Sequence, residues 1–198
     1  MASEKEKMLT QKPYIPSDEE LANDRLYAQS RCFEINSIPP IEISKRNDLY
    51  KELLGSYGKK FLIETPFHCD YGYNIHIGEN FYSNYNLVIL DCAEVTIGDN
   101  VMIAPNLGIY TAGHPIDAEN RNSGREYAIP VKIGNNVWIG GHVVINPGIS
   151  IGDNTVIGSG SILTKDIPAN VIAAGNPCKV IREITGEDKK YYYKKREL

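Results

Sequence analysis

From Ile133 the chain reads IGNNVW, IGGHVV, INPGIS, IGDNTV, IGSGSI and LTKDIP, six hexads in unbroken phase. An α-helix cannot use that spacing, because its apolar face recurs at three and four residues. A six-residue repeat is the pattern of a parallel β-helix, in which each unit supplies a short strand and a corner, and the heads stack from coil to coil. Further units begin at Ile97, Ile103 and Ile109 and, less regularly, at Ile77, Ser83 and Ile89, with an extra pair of residues between Ile89 and Ile97. In VWI, Val137 and Ile139 are expected to face inward and Trp138 outward, since side chains alternate along a strand. The Gly, Asn and Asp residues of IGDN and IGNN suit corners that need positive φ.

The expected fold is therefore mainly β, a parallel β-helix over residues 61–182. A helical subdomain over 1–60 and a tail over 183–198 are candidates to cap its ends, which a solenoid requires. In the N-terminal part, Ser17 with Glu20 three residues on predicts a capping box at the start of a helix. A second helix is expected from Ser44 to a stop at Gly55 or Gly58. The segment MASEKEKM is charged and has no apolar h-region, so it is not read as a secretory signal. No apolar run approaches the roughly 20 residues that span a bilayer. With a net charge of -4 and a pI near 5.6, nothing suggests a nucleic-acid partner, and the expected location is cytoplasmic. Cys32, Cys69, Cys92 and Cys178 form no CxxC or CxxH pair and are expected as small buried hydrophobes, with no metal site.

The repeat breaks once, in IYTAGHPIDAENRNSGREYAIPVKIG. Extending the register from Ile109 makes Gly113 inward and His114 outward, comparable to Trp138 and outside the core. A polar loop over 115–130 follows. Long loops in compact domains are usually functional or disordered, so His114 and this loop are the first candidates for chemistry.

Together the hexads, NNVWIG, VINPG, TKDIPAN and AAGNPCKVIREI resemble the hexapeptide-repeat acyltransferases of the maltose, galactoside and nodulation O-acetyltransferase group. The resemblance runs from Asp18 to the YYYKK tail. It implies a left-handed coil, a homotrimer with active sites between subunits, and acetyl-CoA as co-substrate. It implies that His114 of the GHP element is the general base for direct transfer to a hydroxyl, without an acyl-enzyme. Imidazole, with an unperturbed pKa of about 6.5, suits that work near neutral pH. Asn84, after the head Ser83, is implied beside the reacting groups, where its amide can hydrogen-bond developing charge or the acceptor. Asp18, Asp70 and Asp91 are implied as acceptor contacts, carboxylates being strong partners for sugar hydroxyls. Gly141, Ser159, Thr164, Lys165, Lys179 and Arg182 are implied for the coenzyme, with the Gly141 N–H free to polarise the thioester oxygen. Trp138 is expected either against a neighbouring subunit or along the donor tunnel.

Two positions depart from the galactoside pattern: Asp70 stands where that subgroup has serine, and LDCA where it has two adjacent acidic residues. Both resemble the maltose subgroup more. Three other readings remain open at this point. One is a different hydroxyl acceptor, one a γ-carbonic-anhydrase-like metal enzyme, and one a β-helix scaffold without catalysis. The second needs clustered histidine ligands, whereas His68, His76, His114 and His142 are scattered.

Overall fold

The computed structural model describes residues 2–197; Met1 and Leu198, the outer limits of the helical and tail segments above, lie outside them. From Phe61 the chain winds as a left-handed parallel β-helix whose strands form three faces of a prism. Face one holds Phe61–Ile63, Phe81–Ser83, Met102–Ile103, Trp138–Ile139, Val156–Ile157 and Val171–Ala174. Face two holds Phe67–Cys69, Leu87–Leu90, Gly108–Tyr110, Val144–Ile145 and Ile162–Leu163. Face three holds Ile75–Ile77, Val95–Ile97, Val131–Ile133 and Ser150–Ile151.

The register follows from the repeat. Trp138 pairs with Val156 and Val144 with Ile162, three hexads apart. In the first coils the partners lie two residues further on, as Phe61 with Phe81 and Phe67 with Leu87. The extra pair sits at the corner between faces two and three, and that corner becomes important below. Across the break the step doubles, and Met102 pairs with Trp138. Inward heads stack in columns; on face two these are Cys69, Ile89, Ile109, Ile145 and Leu163, all buried.

The corners explain the asparagines. Asn80, Asn100, Asn136, Asn154 and Asn170 all adopt positive φ, which asparagine tolerates better than most residues. Their amides bond from coil to coil: Asn80 to Asn100 at 3.0 Å, Asn100 to Asn136 at 3.1 Å and Asn154 to Asn170 at 3.1 Å. At the same edge, a Cβ on Gly98 would meet the Gly134 backbone and the Asn135 side chain, so only glycine allows the coils this close.

Three helices cap the first coil: α1 (Glu4–Leu9), α2 (Glu19–Asn36) and α3 (Ile43–Leu53). The helix α1 falls within the helical subdomain expected over 1–60, ahead of the two helices placed there, and Ser3 and Glu6 form a capping box at its start. The cap of α2 is Asp18 rather than Ser17; its carboxylate accepts from the Glu20 N–H at 3.1 Å. The start of α3 lies one residue before Ser44, with Glu42 at the N-cap and no side-chain bond there. At the C-terminus of α2, the Asn36 amide donates to the Phe67 carbonyl and accepts from the Phe67 N–H, both at 2.9 Å. Asn36 thus supplies the hydrogen bonds that a preceding coil would have made, which blunts an open sheet edge. At the other end Lys179–Glu183 turns back antiparallel on Val171–Ala174.

Candidate active site

The corner between faces two and three carries Asp70 in one coil, Asp91 and Cys92 in the next, and the start of the break in the third. Thr111 is the last residue held in the coil. It is fully buried, its N–H and hydroxyl both donate to the Leu90 carbonyl, and its Oγ1 accepts from the Ala93 N–H. Beyond it the chain leaves the prism. Ala112–Gly113 pairs antiparallel with Tyr127–Ala128, and a short helix α4 (Ala118–Asn122) forms the loop tip. The inward register expected for Gly113 therefore does not hold: His114 stands at the end of a two-stranded ribbon, not on a coil strand like Trp138. Its side chain is 55 % exposed.

Glu126, where the ribbon returns, places Oε1 3.7 Å from His114 Nε2. Its other oxygen accepts from the Tyr14 hydroxyl at 2.9 Å, and the Tyr14 and Glu126 backbones bond to each other in both directions. Tyr14 is buried in a small second core with Met8, Leu21, Tyr71, Cys92, Ala93 and Ala128. This core links α1 and α2 to the foot of the ribbon. The helix α1, through Met8, is part of the support beneath His114 and Glu126.

Below them opens a cavity of about 350 Å³ lined by Pro16, Ser17, Arg25, Asp70, Tyr71, Cys92 and Glu126. Arg25 reaches into it from α2, donating to the Tyr71 hydroxyl and the Pro16 carbonyl at 2.7 Å each. Burial raises the Asp70 carboxyl, and the Cys92 thiol, which donates to Asp70 Oδ2 at 3.4 Å, and the charge of Arg25 act against that rise. Burial likewise pushes the Cys92 thiol and the Tyr71 phenol well up. The lining thus offers one cation, two carboxyls and several neutral hydrogen-bonding groups, a surface suited to a polyhydroxylated ligand.

Two of the aspartates expected at the acceptor are elsewhere. Asp18 caps α2, and Asp91 is completely buried, so neither lines the cavity. Asp91 Oδ1 accepts from the Asp70 and Tyr71 N–H groups at 3.0 and 2.9 Å, which holds the corner that presents Asp70. The extra residues at this corner turn Asp91 under the chain and bring Cys92 to the cavity instead.

Burial, with the nearby Asp70 charge, raises the Asp91 carboxyl to about 6, against the lowering effect of the backbone N–H donors, that of Tyr71 first. Its folded pKa is therefore above the unfolded value. Its stabilising contribution is complete below about pH 4 and is lost as pH rises through about 6. Asp91→Asn keeps the acceptor oxygen and cannot ionise. Its stability relative to the parent should rise between pH 4 and pH 6, by on the order of 2–3 kcal/mol at neutral pH. Denaturation midpoints at pH 4.5 and pH 7 check this; a variant less stable than the parent at pH 7 would refute it.

Asn84 and the residues expected at the donor divide between two edges of face two. Asn84, Gly141 and Ser159 lie at the edge shared with face one, while Thr164 and Lys165 lie at the edge of Asp70, Cys92 and His114. A strand separates the edges, roughly 15–20 Å at about 3.3 Å per residue. One chain thus does not bring Asn84 to His114. Asn84 Oδ1 accepts from its own neighbour's N–H, that of Tyr85, at 2.8 Å.

Two donor-site expectations need revision. The Gly141 N–H is already used, donating to Ser159 Oγ at 3.1 Å. Arg182 is held in a two-pronged pair with Asp188, at 2.6 and 2.8 Å, and also donates to the Glu183 carbonyl. Thr164, Lys165 and Lys179 are exposed. Trp138 is 52 % exposed and borders a groove that the C-terminal tyrosines Tyr191–Tyr193 close from the other side. Among the described residues no group of three or more His, Cys, Asp or Glu is placed to hold a metal ion.

Comparison with known proteins bears on the fold and the family. Residues 7–58 match the maltose acetyltransferase hexapeptide capping motif, and 130–165 match the bacterial transferase hexapeptide of six repeats. The galactoside O-acetyltransferase of Escherichia coli (strain K12) is 55% identical over 176 residues, which cover 89% of this chain and 87% of that protein. The crystal structure of a maltose O-acetyltransferase from Clostridium difficile 630 superposes with a TM-score of 0.92 at 56% identity, over 93% of this chain and 98% of that one. A galactoside acetyltransferase in complex with coenzyme A superposes with a TM-score of 0.96 at 50% identity, over 100% of this chain and 99% of that one.

Proposed function

The chain belongs to the hexapeptide-repeat acetyltransferases of the maltose and galactoside O-acetyltransferase group, and from that premise we propose that it moves the acetyl group of acetyl-CoA directly to a sugar hydroxyl, in the cytoplasm. The observation that carries this reading is a half-exposed His114, 3.7 Å from Glu126, which itself lines a polar cavity. His114 is the general base: it takes the hydroxyl proton as that oxygen attacks the thioester carbonyl. The Glu126 carboxylate orients the ring and favours the imidazolium that forms. Asp70, Arg25 and Ser17 hold the neighbouring hydroxyls of the acceptor. With the Gly141 N–H engaged, the Ser159 hydroxyl is the donor available to a coenzyme oxygen at that edge. Lys165 and Lys179 are the cations for its phosphates, and Arg182 joins them only by exchanging Asp188 for a phosphate.

The working site forms between copies in a homotrimer. The outward residues of faces one and two are largely apolar, among them Met102, Trp138, Val156, Val88, Val144 and Ile162, whereas those of face three are His76, Thr96, Lys132 and Ser150. Two apolar faces and one polar face suit a prism that packs against two neighbours. Asn84 of one copy then meets His114 of the next, where its Nδ2 donates to the developing oxyanion.

Two experiments test this. Mixing His114→Ala and Asn84→Ala chains under refolding should restore roughly a quarter of parental activity, since about one interface in four then pairs two intact residues. No recovery in mixed trimers would place both residues in one chain's site. Lys165→Ala should raise the KM for acetyl-CoA about 10-fold with little change in kcat, as loss of a charge-assisted phosphate contact does. An unchanged KM removes Lys165 from the donor site.

A further inference from the structure

Two cysteines that the acetyl-transfer reading does not use face each other across the join between cap and coil. Cys32 projects from the buried side of α2, and Cys69 is the first inward head of the face-two column. Their sulfurs are 3.8 Å apart. A disulfide needs about 2.05 Å, so the two sulfurs, already in contact, must approach further to bond. The join itself is held in place close by, where Asn36, one helical turn beyond Cys32, makes its two bonds to Phe67. Cys92 and Cys178 have no such neighbour: Cys92 donates to Asp70, and Cys178 lies near Ser161.

The pair is buried but borders a cavity. A cavity of about 520 Å³ opens on both cysteines, with Gln29, Asn36 and His68 on its walls. The hydrogen bond between the two thiols lowers the Cys32 thiol below its ordinary value and raises that of Cys69. Either thiol can donate to the other, and that donation favours a thiolate on the accepting sulfur, as exchange chemistry needs.

We propose that Cys32 and Cys69 are a thiol-modification site, forming a reversible disulfide by exchange with a low-molecular-weight disulfide that enters through this cavity. In the first step the Cys32 thiolate attacks one sulfur of the incoming disulfide, forms a mixed disulfide and releases one thiol. In the second, the Cys69 thiolate attacks the Cys32 sulfur, closes the internal bond and releases the second thiol. The protein loses two hydrogens, and the incoming disulfide is reduced to two thiols. The bond staples α2 to the first coil, one residue from Asp70 and on the helix that carries Arg25 to the acceptor cavity.

The test uses the full-length protein and glutathione disulfide and does not depend on acetyl transfer. Free thiols are titrated in denaturant after acid quench, and unreduced peptides are mapped by mass. The expected result is a fall from four free thiols to two, a peptide joining Cys32 to Cys69, and full recovery on reduction. Cys32→Ala and Cys69→Ala, each starting from three thiols, should form no internal disulfide. Four thiols persisting after treatment, glutathione adducts without the joined peptide, or a bridge involving Cys92 or Cys178 would overturn the proposal.

Discussion

His114→Ala should retain the fold and the oligomeric state and lose at least about 10²-fold in kcat for acetyl transfer, the usual contribution of a positioned general base. The fold should survive because the side chain stands outside both cores, more than half exposed, beside Glu126. The loss should fall on kcat more than on either KM, since proton removal is needed only as the new bond forms. Glu126→Gln should give a smaller loss of the same kind, because the amide still fills the space and accepts from Tyr14 but no longer favours the imidazolium. Activity near the parental level in His114→Ala would leave a scaffold as the better account of this β-helix.

The second large effect is on stability. Ile109 is the last aliphatic head before the chain leaves the prism, fully buried and stacked between Ile89 and Ile145. Ile109→Ala should destabilise the protein by about 2–5 kcal/mol, because strands paired above and below cannot close the cavity. Lys132→Ala, at an outward position of face three, should change stability by less than about 0.5 kcal/mol. Both are measured by denaturant unfolding at one protein concentration, since association contributes to stability. Equal effects at the two positions would contradict the inward and outward alternation on which the fold rests.

The β-helix was legible because its signal is repeated: each head, corner glycine and αL asparagine states the same geometry as its counterpart in the next coil. Val137 and Ile139 are placed inward and Trp138 outward from their register alone, and their burial agrees. The site was less legible, because it lies where the repeat is irregular. The two extra residues at the corner of faces two and three turn Asp91 inward and Cys92 outward, and a register extended from neighbouring hexads cannot anticipate that. The same limit applied at Gly113, where the chain had already left the coil to pair with Tyr127 in the ribbon. Glu126, Arg25 and Tyr14 carried no local pattern: Glu126 meets His114 only because the ribbon turns back, and Tyr14 reaches Glu126 and Arg25 reaches Tyr71 across more than forty residues of chain. The helix α1 is a different case: it lies within the helical subdomain expected over 1–60, and its capping box, Ser3 with Glu6, is present in the sequence. Arg182 was read as a free cation because its partner Asp188 meets it only once the tail has turned back.

The most direct measurement is thiol release from acetyl-CoA by the purified protein across a panel of maltose, glucose, galactosides and simple alcohols and amines, with product identification. The expected result is coenzyme A release that depends on a sugar hydroxyl, with an acetyl ester as product, and that falls by at least about 10²-fold in His114→Ala. Turnover with an amine and with no hydroxyl acceptor, or ester formation that persists at the parental rate without His114, would contradict the account.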